Sequence, residues 1–354
     1  MDYKQYFLPY TQKINDYLAQ FFHQKIKQSA KITPVASEIW KKIETFIDGG
    51  KRIRGGLIKL GYECFKKPDE KSLLPISAAI ELTHGAILIH DDIIDQSKLR
   101  HNRPTVHEQY QDYHIRKYQK GVASHYGESM AIVAGIVGYY GAIPLINESQ
   151  FLPEVKIKAV NELAQFMTNT GYGEALDADL ACRLKISPED VLTIHTYKTA
   201  YYTLTGPLKM GGILAGAGEK KLKNFEDYGF PIGIAYQLQD DILGIFGTEE
   251  KLGKPIGDDI KEGKNTLLYT QALKQGSLSQ RKKLTSLWGN KKITLKQIQE
   301  VREIIKKTGS LIYSQNLSRQ LVEKGKKAIP KITKDRNLQE VFLSLADFII
   351  KRKK

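Results

Sequence analysis

Length, composition and charge narrow the class of protein before any motif is considered. The chain has 354 residues, of which 41% are hydrophobic and 26% are charged, and this composition argues against long disordered regions. Its two cysteines exclude a disulfide framework and favour the reducing cytoplasm. The net charge of +15 indicates an anionic partner. The basic residues are scattered, however, which argues against nucleic acid and favours diphosphates, or weak contact with an acidic membrane surface.

The periodicity of apolar residues predicts helices along nearly the whole chain. Steps of three and four recur, as in Val301, Ile304 and Ile305, whereas alternating strand patterns of useful length are absent. No Pro- or Ser-rich linker and no repeat divides the sequence. We therefore expect an all-α protein of ten or more helices, with residues 1–354 forming one large single-domain helical bundle.

One segment is long and apolar enough to be either a transmembrane helix or the core helix of a soluble protein. Residues 129–146 run 18 positions without a charge, which is near the lower limit for a spanning helix. The same run contains Gly135, Gly138, Gly141 and Pro144. We interpret it as a buried core helix of a soluble protein.

Two acid-rich stretches are the most informative feature of the chain. Asp91, Asp92 and Asp95 follow an apolar run, and Asp240 and Asp241 precede one. Carboxylates beside apolar surface need a neutralising partner, and Mg²⁺ held by one or two carboxylates and substrate phosphates is a suitable one. On a helix Asp91 and Asp95 lie about 40° apart and share one face. The alternative, a solvated acidic helix end, is disfavoured by the apolar run.

Several short motifs, taken together and in order, resemble those of the polyprenyl diphosphate synthases, the trans-prenyltransferases. The first acidic stretch matches the family motif DDxxD, and the resemblance extends from Gly49 to Thr266. It implies an all-helical homodimer around a deep apolar cavity. It also implies Mg²⁺-dependent, head-to-tail joining of an allylic diphosphate to isopentenyl diphosphate.

The resemblance also implies roles for individual residues. About three Mg²⁺ ions would be held by the aspartates, namely Asp91, Asp92, Asp95, Asp240 and Asp241. The allylic diphosphate would contact Arg100, Lys198, Thr199, Gln237, Lys254 and Lys264. Isopentenyl diphosphate would contact Lys51, Arg54, His84 and His101. A lone histidine such as His84 is otherwise more often a satisfied core residue.

The chain departs from the family pattern at several positions. Gly244 stands where many members have a third aspartate, His101 where they have a second arginine, and Gly55 where they have a proline. Ala86, five residues before Asp91, replaces a bulky aromatic of short-chain members, so we expect an open tunnel and a C20 (geranylgeranyl) or longer product.

Other residues are also candidates for setting chain length, and two alternative functions are compatible with the motifs. Ile87, beside Ala86, and Tyr139 and Tyr140, which lie lower in the tunnel, are the other chain-length candidates, with ordinary core packing as the alternative for the two tyrosines. A terpene cyclase of the same fold and a non-catalytic partner subunit are the alternative functions.

Overall fold

The computed structural model describes residues 1–183, 185–247 and 257–351, and these are almost entirely helical. In chain order the helices are α1 (Tyr3–Ala30), α2 (Pro34–Ile47), α3 (Ile53–Glu63), α4 (Glu70–Ile94), α5 (Val106–Lys117), α6 (Ala123–Glu148), α7 (Pro153–Leu180), α8 (Pro188–Ile194), a π-helix (His195–Thr205), α9 (Gly206–Leu214), α10 (Glu219–Phe246), α11 (Asp258–Glu262), α12 (Leu267–Gln275), α13 (Leu278–Leu287), α14 (Leu295–Lys307), α15 (Ser310–Lys326), α16 (Ile329–Ile332) and α17 (Arg336–Lys351). The predicted all-α class is confirmed.

A small hairpin interrupts the helices. Strand β1 (Leu99–Arg100) pairs antiparallel with β2 (Arg103–Pro104), and within the described ranges these two strands are all the β structure there is. The sequence analysis did not predict this hairpin. His101 and Asn102 form the turn with φ values of 50° and 60°. Positive φ at both central residues matches the twist of a two-residue hairpin, and His and Asn tolerate it better than most residues.

By contacts between Cα atoms the chain divides into two compact units. The N-terminal unit contains Lys4–Leu163 and Met210–Ala217, and the C-terminal unit contains Met1–Tyr3, Ala164–Lys209 and Gly218–Lys354. The expectation of one domain over residues 1–354 stays a prediction.

Helix α4 is the centre of the N-terminal unit, where it packs against α2, α3 and α6. Its start is fixed by Asp69, whose carboxylate accepts a hydrogen bond from the Ser72 backbone N–H at 3.2 Å. Most of its side chains are buried. Small residues let α6 approach α4 closely. A Cβ at Gly135 would lie only 2.1 Å from the His90 ring, so a larger residue would not fit there.

Helix α10 is the centre of the C-terminal unit, where it packs against the π-helix, α15 and α17. A continuous apolar cluster forms beside its C-terminal end and includes Ile245, Ile260, Leu284, Val301 and Ile305. These side chains come from α10, α11, α13 and α14. The acidic C-terminal end of α10 therefore packs against an apolar core.

Among the residues that the structure describes, two helices, α4 and α6, are long and apolar enough to cross a membrane by length and composition alone. The most apolar window of α4 is 83% buried, as in the core helix of a globular unit, whereas that of α6 is 39% buried. The prediction of a helix over residues 129–146 is confirmed. The prediction that it is buried holds for one face only, because Ile132, Val133, Ile136 and Tyr140 are exposed.

Candidate active site

The first acidic stretch lies at the C-terminal end of α4. Asp91 is in the last turn and Asp95 is the C-cap residue, and one carboxylate oxygen of each lies within 4.8 Å of the other. The shared helical face predicted from their spacing is thus present. Two hard oxygen donors at this separation suit a divalent cation bound between them.

Arg100 joins the hairpin to this helix end. Its Nη2 donates to Asp91 Oδ2 and its Nε to Asp92 Oδ1, both at 2.8 Å. Asp92 is 1% exposed, whereas the Asp91 side chain is 17% exposed. The buried Asp92 therefore fixes the arginine, and Asp91 and Asp95 are the more accessible carboxylates. The hairpin turn sets where Arg100 lies.

A group of basic residues lies on the N-terminal side of Asp91, in the same unit. His84 is about two turns before Asp91, and burial, followed by the charges of Arg54, Arg100, Arg52 and His101, lowers its pKa well below the usual value. The imidazole is therefore neutral at pH 7. The structure thus brings Arg54 and His84 close enough to interact.

The Gly-Gly turn and the start of α3 position these groups. Gly49 has φ 75°, and Arg52, the N-cap residue of α3, has φ 49° and donates from Nε to Asn15 Oδ1 at 2.7 Å. Lys51 is exposed at this turn. The sequence analysis did not select Arg52, although it is buried beside the predicted pocket.

The structure explains why Gly55 replaces a proline. The Gly55 N–H donates to Glu81 Oε1 at 2.8 Å, and a proline has no N–H to donate. A Cβ at this position would also meet Ile14 Cδ1 at 2.6 Å. The departure therefore reflects local packing in the N-terminal unit.

The second acidic stretch lies on α10, in the C-terminal unit. Asp241 is 3% exposed, and its Oδ1 accepts from Gln237 Nε2 at 2.9 Å. Gln237 Oε1 in turn accepts from Thr199 Oγ1 of the π-helix at 3.0 Å. The structure therefore joins three predicted site residues in one chain of hydrogen bonds, while Asp240 is partly exposed beside them.

His195 completes this network, and the sequence analysis missed it. Its Nε2 lies 3.1 Å from Asp241 Oδ2, with both side chains almost fully buried. Burial raises the pKa of Asp241, but His195, followed by Lys264 and Gln237, outweighs it, so the pKa lies below its ordinary value. Asp241 is thus an ionised carboxylate with fixed orientation. The only sequence signal was a single histidine three residues before Lys198.

Lys198 lies in the π-helix and is held by two carboxylates. Its Nζ lies 3.0 Å from Glu174 Oε1 and 2.8 Å from Asp177 Oδ2, both on α7. Close packing makes this possible, since a Cβ at Gly173 would lie 2.2 Å from the Lys198 backbone nitrogen. Short π-helical segments are frequent at functional sites. The acidic residues of α7, which sequence left without an assigned role, thus position a predicted ligand.

For the remaining predicted diphosphate ligands the structure gives few contacts or none. Lys264 follows α11 and its charge acts on Asp241. Lys254 lies outside the residues that the structure describes. His101 is exposed in the hairpin turn, and its charge acts on His84.

The predicted chain-length residues separate into buried and exposed groups. Ala86 is fully buried, and a Cβ at Gly138 of α6 would lie 3.0 Å from its own Cβ, so the facing helix fills the space beside it. Ile87 is half-buried, about 40° from Asp91 around α4.

The two tyrosines of α6 differ in their surroundings. The Tyr139 ring packs on His90 with centroids 5.4 Å apart. Tyr140 is 70% exposed. Helical phase explains the difference, because adjacent residues lie about 100° apart. A role for the two tyrosines in closing the tunnel stays a prediction.

Comparisons with known proteins relate nearly the whole chain to one group of enzymes. A family model described as polyprenyl synthetase matches residues 37–308. The chain is 31% identical over 316 residues to a geranylgeranyl diphosphate synthase of Methanosarcina mazei, covering 89% of this chain and 90% of that protein. It is 34% identical over 307 residues to a short chain isoprenyl diphosphate synthase of Methanocaldococcus jannaschii, covering 86% of each.

A solved structure gives the same result for the fold. The crystal structure of geranylgeranyl pyrophosphate synthase from Corynebacterium glutamicum, complexed with isoprenyl diphosphate and magnesium, matches with a TM-score of 0.92. The sequence identity is 28%, and the match covers all of both chains.

Proposed function

Since this chain belongs to the polyprenyl synthetase family and is therefore a prenyltransferase, we propose that it elongates an allylic diphosphate with isopentenyl diphosphate. The resemblance drawn from the motifs is confirmed. The names of the relatives favour a product of C20 or longer.

Magnesium fits the residues that the chain supplies. Asp91 and Asp95 offer hard oxygen donors within 4.8 Å of each other, and Asp240 offers another in the second acidic stretch. We assign the cation sites to these carboxylates, with about three ions in all. Bound magnesium would neutralise the charge that grows on the leaving diphosphate. Asp92 and Asp241, both buried, orient Arg100 and Gln237.

The basic group of the N-terminal unit is assigned to isopentenyl diphosphate. Arg54 and Lys51 supply positive charge, and neutral His84 supplies a ring nitrogen that can donate to a phosphate oxygen without a second charge. His101 would add to this charge from the hairpin. The diphosphate of the other substrate is assigned to Arg100, Lys198, Thr199, Gln237, Lys254 and Lys264.

The reaction depends on correctly positioned substrates and on the exclusion of water from the site. It does not need a nucleophilic side chain. The bond between the allylic carbon and the diphosphate oxygen breaks, and Lys and Arg side chains stabilise the departing anion. The isopentenyl double bond attacks the allylic cation to form the new carbon–carbon bond. A proton then leaves to the departing diphosphate. Water would quench the cation, so we propose that apolar side chains enclose it.

One observation favours elongation over cyclisation. A basic group of Arg54 and neutral His84 lies about 10 Å along α4 from Asp91, seven residues at 1.5 Å each. A cyclase acts on a single diphosphate and needs no second basic pocket. Two anion-binding regions on one unit suit two diphosphate substrates.

The test uses the purified chain alone with Mg²⁺, radiolabelled isopentenyl diphosphate and a C5, C10 or C15 allylic diphosphate. We expect label in a chain of C20 or longer, identified by mass spectrometry. Cyclised hydrocarbon without incorporated label would instead show a terpene cyclase. No turnover until a second subunit is added would show a partner subunit. Either result overturns the proposal.

A homodimer is part of the proposed function. The exposed face of α6 carries Ile132, Val133, Ile136 and Tyr140, which is a row of apolar side chains on one helix. Apolar patches of this kind mark interaction sites, and a second copy of the chain would cover them. A cytoplasmic location, with at most weak contact with a membrane surface, completes the proposal.

A further inference from the structure

A cavity in the C-terminal unit is bordered by residues that the candidate active site does not use. Its volume is about 330 Å³, at the lower end of the range for small-molecule sites. Gln271 and Lys274 of α12 line it, together with Gly309, Ser310 and Tyr313 around the start of α15. All of these residues belong to the same unit. Among the described residues, no carboxylate lines the cavity.

The N-terminal end of α15 borders this cavity. Gly309, the N-cap residue with φ 76°, has no side chain to cap the helix. The N–H groups of Ser310, Leu311 and Ile312 have neither a backbone acceptor nor a capping side chain among the described residues. Such N–H groups, together with the helix dipole, attract an anion. Many helices have an end of this kind, so this feature by itself does not identify a site.

A buried amide on α12 is the second, independent feature. Gln271 is 5% exposed, and its side chain has no hydrogen-bond partner within the part of the chain that the structure describes. Buried amides are nearly always hydrogen-bonded, because burying one without a partner is unfavourable. The Gln271 side chain lines the cavity, and its amide nitrogen can donate two hydrogen bonds. It therefore indicates that a ligand or a water molecule binds there.

The charges around the cavity favour an anion. Lys274, three residues after Gln271 on α12, is exposed, and no carboxylate pairs with it within the described ranges. The carbonyls at this end of α12 would repel an anion, but two of them are bonded to one guanidinium. Arg281 donates from Nη2 to the Lys274 carbonyl at 3.0 Å and from Nε to the Gly276 carbonyl at 2.7 Å. The helix end that borders the cavity is thus balanced by positive charge.

Ordered water is the simpler explanation. A water molecule would satisfy the Gln271 amide, and buried waters of this kind are common. Water gives no reason, however, for an unpaired lysine and an uncapped helix N-terminus to border the same space as the amide. The two explanations also differ in a measurable way, because only an anion site responds to added anions.

We propose that this cavity binds the phosphate or diphosphate group of a small molecule. The first N–H groups of α15 and the Gln271 amide donate to its oxygens, and Lys274 neutralises its charge. A phosphoryl group has several acceptor oxygens, which suits several donors around one space. Lys274 is seven residues, about 10 Å, beyond the start of α12, whereas Lys264 precedes that start. This site is additional to the diphosphate sites of the proposed function and does not depend on them.

The test is hydrogen exchange of the full-length chain followed by mass spectrometry, in buffer with a chelator so that no divalent cation is present. The probes are inorganic phosphate, pyrophosphate and isopentenyl diphosphate, with sodium acetate at equal ionic strength as the reference. The readout is deuterium uptake by a peptide that covers residues 306–316, which contains the first N–H groups of α15. Titration with each probe gives an apparent Kd at this helix end.

The variants are Lys274→Met, which removes the charge, and Gln271→Leu, which removes the amide. Lys282→Met is the matched control, since Lys282 is an exposed lysine of α13 that does not line the cavity. Circular dichroism verifies folding. The exposed position of Lys274 makes its variant informative even if Gln271→Leu does not fold.

We expect at least one phosphate probe to slow exchange in this peptide of the wild type, and acetate to leave it unchanged. Lys274→Met and Gln271→Leu should each weaken the apparent Kd at least about tenfold, because each loses a hydrogen bond to a charged group. Lys282→Met should bind like the wild type. No slowing by any probe at millimolar concentration would show that the cavity holds water only and would overturn the proposal. An unchanged Kd in Lys274→Met would overturn it too.

Discussion

Replacing His195 with leucine tests how strongly the second acidic stretch depends on its buried partner. The Asp241 carboxylate is almost fully buried, 3.1 Å from His195 Nε2, and it keeps only the Gln237 hydrogen bond in the variant. Removing the partner of a buried charge leaves that charge uncompensated, which destabilises a protein by about 3–5 kcal/mol. We expect about 3 kcal/mol, the lower end, because Gln237 remains. At about 2 °C per kcal/mol, the thermal midpoint falls by about 6 °C.

The loss of stability in this variant should be larger at neutral pH than in acid. The pKa of Asp241 lies below its ordinary value in the folded chain, so its contribution to stability is present above about pH 4 and is lost as the pH falls through the folded pKa. In the leucine variant, His195 no longer outweighs the effect of burial, which raises the pKa of Asp241. The difference from wild type should therefore be largest near pH 7 and shrink in acid.

The assay is thermal unfolding followed by circular dichroism at several pH values, in buffer with a chelator. His195→Gln is the matched control, because its amide can donate to Asp241, and it should recover most of the loss. A leucine variant that melts within 1 °C of wild type at pH 7 would refute the reasoning. So would a loss of equal size at every pH.

Three further changes test other parts of the site. Asp91→Ala should lower turnover by about 10²–10³-fold while the fold is kept, since charge stabilisation in the transition state is lost; wild-type rates at saturating Mg²⁺ would contradict this. Ala86→Phe should shorten the product but also destabilise the chain by about 1–3 kcal/mol, because Gly138 packs on it. Ile87→Phe should shorten the product without that loss, and an unchanged product mass would count against the tunnel. Ile136→Glu should give a monomer by light scattering, and a persistent dimer would place the interface elsewhere.

Sequence was most informative where function depends on spacing along one helix. The 3.6-residue period places Asp91 and Asp95 on one face, and the structure has them there. The same period places Ala86 about 140° from Asp91, toward α6. That signal was available in the sequence, and it makes Ile87 the better candidate for the face that carries His84 and Asp91.

Sequence was least informative where the site depends on contacts between distant elements. No local pattern indicates that the Asp259 carboxylate lies on Gly244, or that His195 contacts Asp241, because helix packing decides both. The hairpin at residues 99–104 was also missed. Its turn uses His101 and Asn102 instead of glycine, so the usual signal of a tight turn is weak.

The central proposal is that the carboxylates of Asp91 and Asp95 bind the allylic diphosphate through divalent cations. A crystal structure with Mn²⁺ and an unreactive thio analogue of the allylic diphosphate tests it most directly, because Mn²⁺ gives an anomalous signal. We predict cations that join Asp91 and Asp95 to the diphosphate. A diphosphate bound with no cation at Asp91 and Asp95 would contradict the account.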